Sequence, residues 1–253
     1  MTILRVLVQS LLPGRLKAAS PVNDAFSASG MVDSSHMATN DFSAATGEKK
    51  VLNVGGNNKT IAIPKFYEGW THHLLDIDPG GNPDVVCDAR TLLDLPGRVY
   101  DSVYCSHNLE HYYSHDVVKV LIGFHHVLKN DGFVNIAVPD MQAVMKQVVQ
   151  ADMDIEDVLY QSPAGPITVK DVIYGFGKQI EQSGVEFFAH KTGFSERSLI
   201  VVLKRCGFST VYSALENLEI KVFAFKQPPS EIFLTLLGLP LSLKSSPYPE
   251  KTS

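Results

Sequence analysis

The sequence predicts an α/β fold built on a mostly parallel sheet, with helices on both faces. Between about residues 49 and 228, short β-rich runs alternate with helical patterns, as expected for parallel strands joined by crossover helices. The chain has 253 residues, of which 45% are hydrophobic and 19% charged. That composition is enough to bury a core, and α/β folds of this length are commonly one domain.

Seven strands follow from the pattern of apolar runs. Five are predicted near residues 51–54, 73–77, 85–87, 102–105 and 132–139. The run STVYSALENLEIKVFAF near the C-terminus then predicts two more strands. Because a turn at about Glu216 and Asn217 joins them directly, we expect an antiparallel pair at the sheet edge.

Three helices have clear sequence signals. One apolar face is formed at spacings of three and four by Val117, Val120, Leu121, Phe124 and Leu128. A second helix, near the C-terminus, begins with Ser195 as its cap and ends at Gly207. A third opens an insertion at residues 141–188, and its apolar face is predicted from Met141, Val144, Met145 and Val148.

The two ends of the chain differ from this central segment. Residues 1–48 are rich in Ser, Ala, Asn and Asp and predict a flexible or weakly ordered segment. Residues 229–253 are predicted as a tail that begins with a packed or lid segment. The first 17 residues are too short and too charged for a transmembrane span, although an organelle transit peptide stays open.

Charge and cysteine content limit the partners and the compartment. A net charge of -5 and a pI near 6.0 predict no nucleic-acid or anionic-membrane partner. The cysteines, Cys87, Cys105 and Cys206, lie far apart and form no CxxC pair. They are typical of free thiols in a reduced, cytoplasmic protein. The sequence does not indicate an oligomeric state.

Polar residues follow the predicted strands, where open α/β sheets bind their ligands. The first strand runs into Gly55, Gly56 and Asn57, which suit a tight turn and a close backbone approach. Asp76 ends the second strand, roughly twenty residues further on, the spacing of an acid that accepts from a ribose diol. Asp88 ends the third strand. A plain turn and helix caps are the alternatives for these residues.

The segment CSHNLEHYYSH, at residues 105–115, carries three histidines. If it were one continuous helix, His107, His111 and His115 would share a face and could bind a metal. However, the HExxH order of metalloproteases is absent, because Glu110 directly precedes His111. We therefore predict no metal site, and we expect His111 to support the loop and His115 to be exposed.

Five segments in order carry a resemblance to a known family. The segments VLNVGGNNK, LLDIDP, VVCDARTL, YDSVYCSHNLEH and FHHVLKNDGFVNIAVPD together resemble class I S-adenosylmethionine-dependent methyltransferases, over roughly residues 51–140. AHKTGF, at residues 189–194, is similar to a segment of one methyltransferase-domain group. The resemblance implies a Rossmann-like sheet of seven mostly parallel strands with one antiparallel strand in the edge region, and S-adenosylmethionine as cofactor.

The resemblance also implies roles for individual residues. Gly55 and its neighbours Asn53, Gly56 and Asn57 would contact the methionine and ribose portion, and Asp76 the ribose hydroxyls. Asp88 and Ala89 would lie beside the adenine, and Ser106 and His107 would line the site. The family usually has an acid where Asn53 stands and glycine where Asn57 and often Lys59 stand. Asn53 can still accept from the cofactor's ammonium, but without the charge-assisted part of that bond.

A catalytic base is predicted from two histidines. His107 follows the fourth strand, where the transferred methyl should point, and a neutral imidazole there could accept a proton from the acceptor. His190, beside Lys191, is the rival candidate. Positioning of the acceptor alone is an alternative, because the sulfonium is already activated.

The acceptor should be bound by the insertion at residues 141–188, where Tyr174 and Phe176 are predicted to form a lid. A small molecule or a glycan, methylated on oxygen or nitrogen, is the predicted acceptor. The departures at Asn53, Asn57 and Lys59 keep a second hypothesis open, a non-catalytic protein with a cofactor fold. A nicotinamide-dependent oxidoreductase is disfavoured because GxGxxG is absent.

Overall fold

The computed structural model describes residues 48–241. The predicted N-terminal segment, except for Glu48, and the end of the predicted tail lie outside the described residues. The strands are β1 Lys50–Val54, β2 Thr71–Asp76, β3 Val85–Val86, β4 Tyr100–Ser106, β5 Leu128–Pro139, β6 Val158–Ser162, β7 Gly165–Thr168, β8 Thr210–Glu216 and β9 Glu219–Phe225. The α-helices are α1 Ser114–Val127, α2 Met141–Gln150, α3 Val169–Tyr174, α4 Gly177–Ser183, α5 Glu196–Arg205 and α6 Glu231–Leu236.

Seven of these strands form one sheet in the order β3-β2-β1-β4-β5-β9-β8. The pairs from β3 to β5 are all parallel, whereas β9 is antiparallel to both β5 and β8. One reversed strand therefore lies next to the edge, and the predicted fold class is confirmed.

The register of the parallel strands brings their carboxyl ends to one edge of the sheet. In β1, Asn53 lies between Leu74 of β2 and Tyr104 of β4. The residues that follow Val54, Asp76 and Ser106 therefore meet there, at the point where the order of the strands reverses around β1. Open α/β sheets bind their ligands at such a point.

Two apolar clusters cover the two faces of this sheet. On one face, α1 and α5 pack through buried residues such as Phe124 and Leu203. On the other, a 3-10 turn at Lys65–Tyr67 and α6 pack through Tyr67 and Leu234 against the aromatic side chains of β5 and β9. The apolar run of the predicted tail is therefore a packed segment as far as Leu239.

The described segment between β1 and β2 holds one 3-10 turn and no α-helix. Pro64, which lacks an N–H and cannot stand inside a helix without breaking it, lies directly before that turn.

Most of the predicted helix signals are confirmed, with two differences. Ser195 caps α5 by accepting from the backbone N–H of Ser198, and Gly207 follows the helix with a φ of +98°. Leu128 is buried, but it begins β5 instead of ending α1. In α2, Val144 is buried whereas Met145 is 57% exposed, so the predicted face was too wide.

The predicted insertion forms a small unit beside the main sheet. The antiparallel pair β6 and β7 packs with α2 and α3 around a third cluster, which includes Val144, Leu159 and Ile167. Among residues 48–241, no helix is long and apolar enough to cross a membrane. The three cysteines all lie within the described residues, and none of them is in a disulfide bond.

Candidate active site

A sharp turn follows β1 at the carboxyl edge of the sheet. Gly55 has a φ of +66°, and its N–H donates to the carbonyl of Leu75 at 2.8 Å. Asn57 has a φ of +61°, which asparagine tolerates better than most residues. The chain therefore makes the tight turn predicted from the Gly-Gly-Asn sequence, without the further glycine that is usual in the resembling family.

Asp76 holds this turn from the end of β2. Its Oδ2 accepts from the N–H of Asn57 at 2.8 Å, and its Oδ1 accepts from the N–H of Asp78 at 3.1 Å. An ionised carboxylate offers about four acceptor positions. Two of these are used by backbone, so Asp76 retains acceptor capacity for the hydroxyls of a ligand.

A cavity of about 420 Å³ lies against this turn. Its volume falls within the usual range for small-molecule sites, roughly 300 to 1,000 Å³. The wall includes Gly55, Asn57, Asp76, Asp88, His111 and Phe188. Three of the predicted cofactor residues at the ends of β1 and β2, namely Gly55, Asn57 and Asp76, are therefore brought together on one wall.

A larger cavity, of about 610 Å³, lies at the opposite edge of the sheet. It is lined by residues around the starts of β1, β4 and β5, including Lys49, Asp101 and Lys129. Because ligands of open α/β sheets bind beyond the carboxyl ends of the strands, we assign the candidate site to the smaller cavity.

At the far end of the site, Asp88 lies on the wall but is already ion-paired. Its carboxylate accepts from the backbone N–H of Arg90 at 2.9 Å and from Nη2 of Arg90 at 2.6 Å. Partial burial works against the charged form, but these bonds hold the pKa of Asp88 below its usual value. Ala89, between them, is buried and does not contribute to the wall.

Asn53 and Gly56 lie beneath the turn, away from the cavity wall. Nδ2 of Asn53 is 3.2 Å from Nε2 of His72, and a Cβ atom on Gly56 would be 2.4 Å from that same Nδ2. Asn53 thus supports the turn from below. The predicted contact between Asn53 and the cofactor's ammonium stays a prediction, and this position does not favour it.

Lys59 is turned away from the cavity. Its ammonium lies 2.6 Å from a carboxylate oxygen of Asp84, and neither residue belongs to the wall. The family departure at Lys59 therefore adds no bulk to the candidate site.

His107 is enclosed behind the wall. It is buried with a φ of +48°, its Nε2 lies 2.6 Å from Oε1 of Glu219, and its Nδ1 lies 3.4 Å from Oε1 of Glu110. Burial opposes the charge, but the two carboxylates raise the pKa of His107 to about 9. A protonated, enclosed imidazole cannot accept a proton from an acceptor, so this geometry argues against His107 as the base. Ser106 is likewise buried and outside the wall.

The segment after β4 is not one continuous helix. A 3-10 turn covers Leu109–His111, and α1 begins only at Ser114. The spacing that would align His107, His111 and His115 on one helical face therefore does not apply. The side chain of His115 is 73% exposed and stacks on Tyr113, as predicted for an exposed residue.

A different group of side chains meets beside the cavity: Glu110, His111 and His190. The rings of His111 and His190 have centroids 4.9 Å apart, and one ligand atom of each of the three residues lies within 4.8 Å of the others. Burial lowers the pKa of His111 to about 4. Sequence reasoning missed this group because His190 is about 80 residues from His111. One sequence signal could have joined them: the segments that contain LEH and HKTGF both belong to the same family resemblance.

The HKTGF segment is fastened directly to this turn. The N–H groups of Lys191 and Thr192 both donate to the backbone carbonyl of Glu110, at 2.8 and 3.2 Å. His190 itself does not contribute to the cavity wall, whereas His111 and Lys191 do. The catalytic role predicted for His190 stays a prediction.

The insertion borders the cavity through other residues than those predicted. Tyr174 and Phe176 lie outside the wall. The wall instead receives Gln179, Phe187 and Phe188, from α4 and the segment after it. The helix α4 therefore borders the site through its polar residues Gln179 and Ser183. The sequence had instead pointed to the aromatic residues just before this helix.

No protein-family model and no curated protein matches the chain. Solved structures that this chain resembles include an S-adenosylmethionine-dependent methyltransferase from Archaeoglobus fulgidus, at 16% identity, covering 71% of this chain and 87% of that chain with a TM-score of 0.46. A second is the 1,6-didemethyltoxoflavin N1-methyltransferase from Burkholderia thailandensis, with bound S-adenosylhomocysteine, at 16% identity. That match covers 72% of each chain with a TM-score of 0.45. A third is an S-adenosylmethionine-dependent methyltransferase from Methanosarcina mazei, at 17% identity, covering 71% of this chain and 92% of that chain with a TM-score of 0.44.

Proposed function

We propose that the chain is an S-adenosylmethionine-dependent methyltransferase, with its cofactor in the cavity at the carboxyl ends of β1 and β2. The single observation that carries the proposal is the hydrogen bond from Asn57 to Asp76, which places a positive-φ turn and an acid on one wall. The reversed strand β9 also supports it, because one antiparallel strand in the edge region is a feature of the family that the sequence resembles.

The residues present fit an adenosyl cofactor in shape and in hydrogen bonding. The turn at Gly55–Asn57 allows close approach of a ligand to the backbone. Asp76 supplies acceptor positions for a ribose diol, and apolar side chains such as Ile77 and Phe188 extend the wall. When bound, the cofactor supplies a methyl group on a sulfonium that is already activated for transfer.

The chain's own contribution is to hold the acceptor in line with that methyl group and to limit water. Alignment of this kind accounts for much of the rate in reactions whose electrophile is already activated. The segment from Gln179 to Phe188 lines the cavity through several side chains, including Gln179, Phe187 and Phe188. It is therefore the part of the chain that would select the acceptor, a small molecule or a glycan methylated on oxygen or nitrogen.

The alternative of a non-catalytic protein is not favoured by this geometry. Its basis was the departure at Asn53, Asn57 and Lys59. Asn57 makes the turn with its backbone bonded to Asp76, and Lys59 is bonded to Asp84 outside the cavity. Of the three departures, Asn53 alone still removes a charge from the site, because the family usually has an acid at this position.

A crystal structure with S-adenosylhomocysteine tests the site. We expect the ribose against Asp76 and the methionine portion along the turn at Gly55. Density for the ligand in the cavity at the opposite edge, near Lys49, would contradict the assignment. Turnover is tested separately, by release of S-adenosylhomocysteine during incubation with sugar, phenol and amine acceptors.

A further inference from the structure

We propose that Glu110, His111 and His190 form a binding site for a divalent transition-metal ion of the zinc class at the cavity. The sequence had predicted no metal site. The binding claim is independent of the proposed function, but its use in catalysis, described below, rests on that function.

The Glu110 carboxylate has unused ligand capacity. Its residue is 1% exposed, and among the described residues neither side-chain oxygen has a hydrogen-bond partner. Nδ1 of His107 is 3.4 Å from Oε1, which is a charge contact without hydrogen-bond geometry. The charged imidazole of His107 lies beside this carboxylate, but neither carboxylate oxygen accepts a hydrogen bond among the described residues. Lone pairs on both oxygens are therefore left for a metal ion.

The two histidines are held in the tautomer that a metal requires. Nδ1 of His111 lies 3.1 Å from the carbonyl of Ala189, and Nδ1 of His190 lies 2.8 Å from the carbonyl of Val172. A carbonyl only accepts, so Nδ1 carries the proton in each ring and Nε2 keeps a lone pair. Donation of the other ring N–H to a carbonyl is the usual support of metal-binding histidines.

The distances suit a small ion after minor side-chain movement. One ligand atom from each residue lies within 4.8 Å of the other two. Tetrahedral zinc, with bonds of about 2.0 to 2.2 Å, has its ligands about 3.4 Å apart. Movement of the ligand atoms toward one another by about 1.4 Å would close this difference. Two imidazoles favour zinc or iron over magnesium and calcium, which prefer oxygen ligands.

The backbone around these ligands is fixed from both sides. Lys191 and Thr192 donate to the carbonyl of Glu110, and the N–H of His190 donates to the carbonyl of Tyr174 at 3.0 Å. Gly175 allows this approach, because a Cβ there would lie 2.2 Å from the carbonyl oxygen of Phe188. Segments 80 residues apart in the sequence thus present their ligands to one point.

Three protein ligands leave a position open, and His111 belongs to the cavity wall. Three protein ligands with one open position are typical of catalytic rather than structural zinc sites. A hydroxyl that coordinates a divalent cation loses its proton more readily at neutral pH. The proposed acceptor is therefore a hydroxyl compound. Its proton passes to water, its oxygen forms the new bond to the methyl carbon, and the carbon–sulfur bond breaks with its electron pair left on sulfur.

The test is a titration of the full-length, chelator-treated protein with Co²⁺, followed by visible absorption, and then displacement by Zn²⁺. We expect one bound equivalent, and at least about tenfold weaker binding in His190→Ala and in His111→Ala. His115→Ala is the matched control, because its side chain is exposed and outside the group. It should bind as the unchanged protein does.

The same samples are titrated with S-adenosylhomocysteine in the absence of metal. No stoichiometric Co²⁺ or Zn²⁺ binding, or equal binding in all three variants, would overturn the metal site, while cofactor binding in that sample would leave the proposed function standing. Metal binding that depends on His190 without cofactor binding would support the site and contradict the proposed function.

Discussion

The imidazole of His107 and the carboxylate of Glu219 form a buried ion pair between residues 112 positions apart, with Nε2 and Oε1 separated by 2.6 Å. His107 directly follows β4, and Glu219 begins the reversed strand β9. The pair therefore ties the loop behind the candidate site to the antiparallel strand that distinguishes this sheet.

Loss of one partner should destabilise the fold. We expect Glu219→Gln to lower the free energy of unfolding by about 3 kcal/mol, because the charge of His107 would be left with weaker compensation. Glu156→Gln is the control: its ion pair with Lys170 is exposed and separate from this cluster, and should contribute under about 1 kcal/mol. Urea unfolding at pH 7 measures both. Equal losses in the two variants would show that the buried pair is not special.

The same pair predicts a dependence of stability on pH. The pKa of His107 is raised to about 9 in the folded protein, against about 6.5 unfolded. The stability that charged His107 contributes is therefore fully present below about pH 6.5, and it is lost as the pH rises through 9. The free energy of unfolding of the unchanged protein and of His107→Gln is measured in urea at pH 6.5, 8 and 9.5. We expect the difference between the two proteins to shrink as the pH rises. A difference that stays constant over this range would refute the raised pKa.

Gly56 should not tolerate a side chain. In Gly56→Ala the new Cβ would be 2.4 Å from Nδ2 of Asn53 and from Cδ1 of Leu74, so the turn over Asn53 must shift. We expect a loss of about 1 to 3 kcal/mol in the free energy of unfolding. At Gly177 an added Cβ would meet only Oδ1 of Asp171, at 3.5 Å. Gly177→Ala should therefore be neutral or slightly stabilising, and thermal unfolding of both variants checks the contrast.

Local patterns in the sequence were sufficient for most of the fold. The cap at Ser195, the stop at Gly207 and the end of the first strand at Val54 depend on neighbours in the chain, and each is found as predicted. The second strand ends at Asp76, one residue before the end of its predicted range. The turn after β1 was also readable, because its geometry follows from Gly55 and from the tolerance of asparagine for positive φ.

What the sequence did not show depends on contacts between distant segments. His107 looked like a free base at a strand end, and only its contact with Glu219 reveals the charged state. His111 was separated from His190 by the whole insertion, and no periodic pattern joins them. Met145 has the right spacing for a buried face, but the small pair β6 and β7 covers only the part of α2 around Val144.

The cofactor site is tested by calorimetric titration of the unchanged protein and of Asp76→Ala with S-adenosylhomocysteine, with NAD as the negative ligand and Asp94→Ala as an exposed charge control. We expect micromolar binding that Asp76→Ala weakens by about 1.5 to 3 kcal/mol, roughly tenfold to a hundredfold, and that Asp94→Ala leaves unchanged. An unchanged affinity in folded Asp76→Ala, or no binding to the well-folded unchanged protein, would contradict it.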